Sequence, residues 1–266
     1  MIRSYAFVCL VFVAYCGVAT AQPDANGVYV IFGPEHAAEK LAAAAKEIAP
    51  VKYAPKMAPW KQLPRVATAL AKKCGELRIV MLGDSIVNDT ARSRWGDRLQ
   101  EHYPECKISV VAIVRGGTGC WWYKEDGRVA KYVVPQKPDL LIIGGISHND
   151  DIGAVREVMK QVRNEVECDV LLMSEAFGAV DPTDDKQWTF DIPDKSKDFR
   201  AKLRDLAVES KVGFLDMTAY WGLYIRESGH ELKWFKRDPV HANIRGEQVV
   251  GGILFKHLSS QPPASK

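Results

Sequence analysis

The chain has 266 residues, 47% hydrophobic and 26% charged, an ordinary globular composition that excludes disorder of the whole chain. Lys and Arg number 36 against 33 Asp and Glu, and a formal +3 over this length is too weak to argue for nucleic acid or a membrane surface as partner. The length suits one α/β domain with a sizeable core, so motifs must carry the function.

Residues 1–21 read as an export leader. Arg3 supplies a positive start, residues 6–19 carry no charge, and Ala19-Thr20-Ala21 gives the small-x-small pattern of signal peptidase, leaving Gln22 first. The apolar run is shorter than the roughly 20 residues of a spanning helix. An uncleaved anchor is the alternative reading. Lipid modification at Cys16 is disfavoured because bulky Tyr15 stands where a lipoprotein signal needs a small residue. No other segment has the length and apolarity to span a bilayer. The expectation is a secreted or periplasmic protein with no stable membrane insertion after cleavage.

Residues 22–75 form an N-terminal extension with an Ala-rich helix over 37–48. Pro50, Pro55, Pro59 and Pro64 interrupt the segment beyond that helix, which is expected to wrap the core. Five short apolar runs come next, at 77–82, 108–114, 140–143, 170–173 and 212–215. They are rich in Val, Ile and Leu without polar alternation, as strands of a parallel sheet buried on both faces require. Ile152, Val155, Val158, Met159, Val162 and Val166 form a helical stripe that Asp150 or Asp151 can cap. Residues 195–210 and 247–258 also read as helices. Strands alternating with helices imply an open α/β sheet covered on both faces. The chain shows no repeats and no second domain. A catalytic core over 76–258 ends in a polar, frayed tail at 259–266.

Leader cleavage removes Cys9 and Cys16 and leaves Cys74, Cys106, Cys120 and Cys168. No pair has C-x-x-C spacing, which disfavours zinc and thioredoxin chemistry. Disulfides in an oxidising compartment and buried thiols acting as small apolar residues both remain open.

Ligand sites in such sheets lie at the carboxyl ends of the strands. The first strand is followed by Gly83-Asp84-Ser85, the second by Arg115-Gly116-Gly117-Thr118-Gly119, and the third by Gly144-Gly145-Ile146-Ser147-His148-Asn149-Asp150. Asp238-Pro239-Val240-His241 precedes the last helix. A serine, a histidine with an acid three residues before it, and candidate oxyanion donors match the needs of acyl transfer. Singly each signal is modest. Gly-Asp-Ser also makes a plain strand-to-helix turn, and the Gly116 loop lacks the residues of a phosphate cradle.

Together these blocks resemble the SGNH (GDSL) hydrolase family, with the likeness extending from about Arg78 to Leu258. The resemblance implies a flavodoxin-like, three-layer α/β/α sandwich with a five-stranded parallel sheet, over a single domain at 22–266. It implies Ser85 as nucleophile, Asp238 and His241 as the other triad members, and the backbone N–H groups of Ser85 and Gly116 as oxyanion donors. The third block departs from the family's Gly-x-Asn-Asp. Ser147 stands two before Asn149 where the glycine belongs, and Gly145 stands four before it. Asn149 is the expected side-chain donor, with His148 and Ser147 as the other candidates. No metal or organic cofactor is required.

The resemblance further implies an esterase acting through an acyl-enzyme, on a small-molecule or polysaccharide ester. Secreted carbohydrate deacetylases of the family are favoured, because the chain has no evident lipid-binding amphipathic helix. Trp121 and Trp122, and further on Trp188, Trp221 and Trp234, either border a sugar site or fill the core. Alternatives are a lipase-like acylhydrolase, an acyltransferase on the same triad, and a non-catalytic glycan-binding protein of the same fold.

Overall fold

A computed structural model describes residues 22–53, 59–71, 75–193 and 198–260. The expected leader at 1–21, Cys74 and residues 261–266 of the expected tail lie outside the described residues.

The strands are β1 (Tyr29–Phe32), β2 (Glu76–Gly83), β3 (Lys107–Val114), β4 (Leu140–Ile143), β5 (Asp169–Met173) and β6 (Gly213–Leu215). They form one sheet in the order β1-β3-β2-β4-β5-β6. Strands β2 to β6 are parallel neighbours, at the five positions read from the sequence. The chain passes from β2 to β3 on one side and then back over β2 to β4 on the other, so the order of these strands is the flavodoxin-like one.

The sheet has a sixth strand that the sequence reading did not separate from the N-terminal extension. β1 pairs antiparallel with β3, Tyr29 opposite Val114 and Phe32 opposite Val111. Its run Val28-Tyr29-Val30-Ile31-Phe32 has β-branched and aromatic residues suited to a strand, but at this length only the open edge of β3 decides that it becomes one.

The helices are α1 (Ala38–Glu47), α2 (Pro64–Ala71), α3 (Ser85–Ala91), α4 (Trp95–His102), α5 (Cys120–Tyr123), α6 (Ile152–Glu165), α7 (Phe199–Ser210), α8 (Met217–Ser228) and α9 (Ile244–Ser259). Alternate residues of β2 feed two separate cores. Leu77, Ile79 and Met81 pack with Leu99, Trp221, Val249, Ile253 and Leu254 of α4, α8 and α9. Val80 and Leu82 pack with Tyr123, Val155, Val158, Leu203 and Leu206 of α5, α6 and α7. Burial on both faces is why these strands read as continuous apolar runs. Asp151, rather than Asp150, caps α6, its side chain accepting the Ala154 N–H at 2.8 Å.

Cys106, Cys120 and Cys168 are free and buried, so among the described residues the cysteines are packing thiols.

Candidate active site

Two loops and one helix end meet above β2. The strand closes on Gly83, where a Cβ would come within 2.4 Å of the Gly144 carbonyl oxygen, so only glycine allows β2 and the exit of β4 to approach this closely. Asp84 then caps α3, accepting the Ile86 N–H at 2.9 Å, and Ser85 is the first residue of the helix. The second oxygen of Asp84 accepts the amides of Ile146 and Ser147 at 2.7 and 2.8 Å. Gly145, at φ +106, makes that wrap possible, since a Cβ there would fall 2.6 Å from the Asp84 carboxylate. Asp84 is thus the peg around which the third-block loop curls. The sequence reading gave it no role, although an acid before a helix-opening serine is an N-cap signature.

Ser85, His241 and Asp238 form one hydrogen-bonded chain. The Ser85 Oγ lies 2.8 Å from His241 Nε2, and Asp238 Oδ2 lies 2.8 Å from His241 Nδ1. Asp238 also accepts the backbone amides of Val240 and His241, each at 2.8 Å. Those two amides, His241's first, hold the Asp238 carboxyl well below the usual carboxylate range, so it is ionised at any pH near neutrality. The loop is anchored on its far side by Lys236, whose ammonium donates to the carbonyls of Gly178 and Pro239.

Gly116 follows β3, whose Val114 pairs with Gly83, and so stands beside the start of α3. Its loop is braced from below. Arg115 donates to the Asn26 carbonyl at 2.8 Å and to Thr118 Oγ1 at 2.5 Å, and Thr118 in turn donates to the Gly116 carbonyl at 3.1 Å. Among the described residues neither the Ser85 nor the Gly116 amide donates to a protein acceptor. Asn149 lies farther along the third-block loop, exposed and in the left-handed region at φ 52, just before α6. No hydrogen bond joins its side chain to Ser85 or to the Gly116 loop. His148 is buried, with its Nε2 3.2 Å from the Gly144 carbonyl and its ring stacked on Phe199.

The tryptophans divide by environment. Trp121 donates to the Ser147 carbonyl at 2.8 Å and so braces the third-block loop. Trp122 carries the guanidinium groups of Arg115 and Arg128 over its ring, 4.7 and 4.0 Å from the centroid. Trp188 and Trp221 are core residues. Trp234 stacks on His230 and under Arg245.

A half-buried carboxyl also stands at this end of the sheet. Glu175 leaves β5, and burial raises its pKa, with the charges of Asp198 and Asp84 adding to the effect. Among the described residues no group of three or more His, Cys, Asp or Glu side chains is arranged to hold a metal ion.

The sequence matches no protein-family model and no curated protein. Solved structures do resemble it. The acetylxylan esterase Axe2 from Geobacillus stearothermophilus superposes with a TM-score of 0.54 at 20% identity, over 70% of this chain and 96% of that one. The fold is that of the SGNH hydrolases. A protein described as a GDSL-like lipase, from Parabacteroides merdae, shares the SGNH fold at a TM-score of 0.50 and 18% identity, over 68% of this chain and 95% of that one.

Proposed function

We propose that this chain is an exported serine esterase that hydrolyses carboxylic esters through an acyl-enzyme, with acetylated carbohydrate as its substrate class. The Ser85–His241–Asp238 chain carries the proposal, because its two 2.8 Å bonds are the contacts that nucleophile activation requires. The Asp238 carboxylate keeps a proton on His241 Nδ1, which leaves Nε2 as an acceptor. Nε2 takes the Ser85 proton as Oγ attacks the ester carbonyl. The oxyanion is met by the amides of Ser85 and Gly116, with the Asn149 side chain as third donor. Collapse expels the alcohol, which takes the proton from His241. A water deprotonated by His241 then attacks the acyl-enzyme, releasing the acid and restoring Ser85.

The carbohydrate assignment draws support from Axe2, an acetylxylan esterase. Variants of Axe2 described as catalytic mutants replace a serine, an aspartate and a histidine, the last two spaced as Asp238 and His241 are. Export draws on the 1–21 leader pattern. Among the described residues no helix is long and apolar enough to cross a membrane.

Hydrolysis of p-nitrophenyl acetate by the purified protein, beside Ser85→Ala, tests the mechanism. Turnover lost in the variant and covalent capture of Ser85 by a fluorophosphonate are expected. Turnover that survives the substitution removes Ser85 as nucleophile. Acetate release from acetylated xylan tests the substrate class, and preference for acyl chains of about eight carbons or more points instead to a lipase, whose binding energy comes from apolar burial.

A further inference from the structure

The loop bearing Asp238 and His241 is tied to the nucleophile's own helix through one carboxylate. Asp89 lies four residues beyond Ser85 on α3 and is 1% exposed. Its Oδ2 accepts the Ala242 N–H at 2.9 Å, and its Oδ1 is 2.8 Å from Nη1 of Arg237. Arg237 and Ala242 are the residues on either side of the 238–241 stretch. They also hold one another, because the Arg237 guanidinium donates to the Ala242 carbonyl and the Arg237 N–H donates to that of His241.

Behind this pair stands a second acid, Glu247 of α9, also 1% exposed. Its carboxylate lies 3.4 Å from Arg237, 3.8 Å from Arg92 and 2.7 Å from His36 Nε2, and Arg92 reaches Glu35 at 3.2 Å. The charged groups around Asp89 are therefore Arg237 and Glu247, with Arg92, His36 and Glu35 beyond them and Asp238 3.9 Å from the Arg237 Nε.

The geometry points to Asp89 and Arg237 as positioning residues, which hold the His241 ring in register with the Ser85 hydroxyl by clamping both ends of the acid–base loop to α3. Neither residue takes part in the Ser85–His241 bond. The inference rests on the serine-esterase reading and deepens it. A carboxylate suits this place because its Oδ2 accepts the Ala242 N–H while its Oδ1 sets negative charge against the Arg237 guanidinium. An amide offers one oxygen, and its NH2 would confront a second donor, so the loop must move.

Burial opposes the arrangement. It pushes the Asp89 carboxyl up to about 6 in spite of Arg237. The folded chain therefore binds the Asp89 proton more tightly than the unfolded chain does. Stability falls as pH rises from the unfolded value of 3.8 through about 6, and ionised Asp89 is a cost to the fold at neutral pH. A residue kept for stability would lower the melting temperature when neutralised. A positioning residue with this burden would lower turnover and leave the melting temperature unchanged or raised.

The test compares Asp89→Asn, Arg237→Gln and the double variant on p-nitrophenyl acetate. Because a misplacement of about 1 Å can cost about 10²-fold, kcat of Asp89→Asn is expected to fall by about that factor. KM and melting temperature should hold, and the double variant should lose no more than the worse single one. Additive losses, or a kcat near wild type, overturn the inference.

Two readouts do not depend on turnover: hydrogen exchange at the Ala242 amide and the NMR chemical shifts of the His241 ring, the first expected to quicken and the second to move in Asp89→Asn. If the wild type hydrolyses no ester, the esterase reading fails while these two still judge the clamp. Should Asp89→Asn not fold, Arg237→Gln decides: Ala242 exchange is expected to quicken there too, and exchange at the wild-type rate overturns the clamp.

Discussion

Replacing Asp84 with alanine removes three hydrogen bonds at once, from the amides of Ile86, Ile146 and Ser147. The first is the N-cap of α3, whose loss costs about 1 kcal/mol. The other two leave backbone N–H groups without an acceptor, at about 1–3 kcal/mol each when water is excluded. Ile146 and Ser147 are half-buried, so the lower end applies to both. The total is about 3 kcal/mol, partly offset because Glu175 no longer feels the Asp84 charge. Denaturant unfolding at neutral pH measures it, as a lower midpoint at unchanged slope. Asp84→Asn should lose about half as much, since asparagine caps helices well but brings one acceptor oxygen where two are used. A loss below about 1 kcal/mol in the alanine variant would refute the account of Asp84 as the peg of the third-block loop. So would an asparagine variant weaker than the alanine one.

The remaining predictions concern the oxyanion donor, the triad and acid stability. Asn149→Ala should lower turnover by about 10²–10³-fold when its amide faces the oxyanion, and turnover at the wild-type level removes it from that role. Ser85→Ala and His241→Ala should each abolish most turnover, and the double variant should be no worse than either, because the two act as one unit. His257 is almost fully buried, its Nδ1 2.5 Å from the Tyr53 hydroxyl, and burial lowers its pKa from 6.5 to about 4. The unfolded chain takes up this proton first as pH falls. The stability that neutral His257 provides is thus whole above 6.5 and lost towards about 4, by up to about 3 kcal/mol. Unfolding curves across that window should show the slope in the wild type and a weaker one in His257→Gln; equal slopes would contradict it.

Much of the sheet was legible because its strands are buried on both faces and thus written as unbroken Val, Ile and Leu runs. β1 was not, since a four-residue edge strand carries too little pattern to be told from loop. The serine and the acid–base pair were legible as local motifs, Gly83-Asp84-Ser85 at a strand exit and Asp238 three residues before His241. The tryptophans were ambiguous for a physical reason. A large aromatic ring serves a core and a sugar face equally well, and the surrounding elements decide which.

The sequence by itself determined the chemistry available: a hydroxyl, an imidazole, a carboxylate, and glycines where backbones must approach closely. Only the tertiary structure decided that Ser85 and His241, 156 residues apart, meet at 2.8 Å. It likewise decided that Asp84 and Asp89 serve backbone amides 62 and 153 residues away. Side-chain identity and helix capping are local and can be read along the chain. The partners of a buried carboxylate are whatever donors the fold brings to it, and burial obliges it to find them.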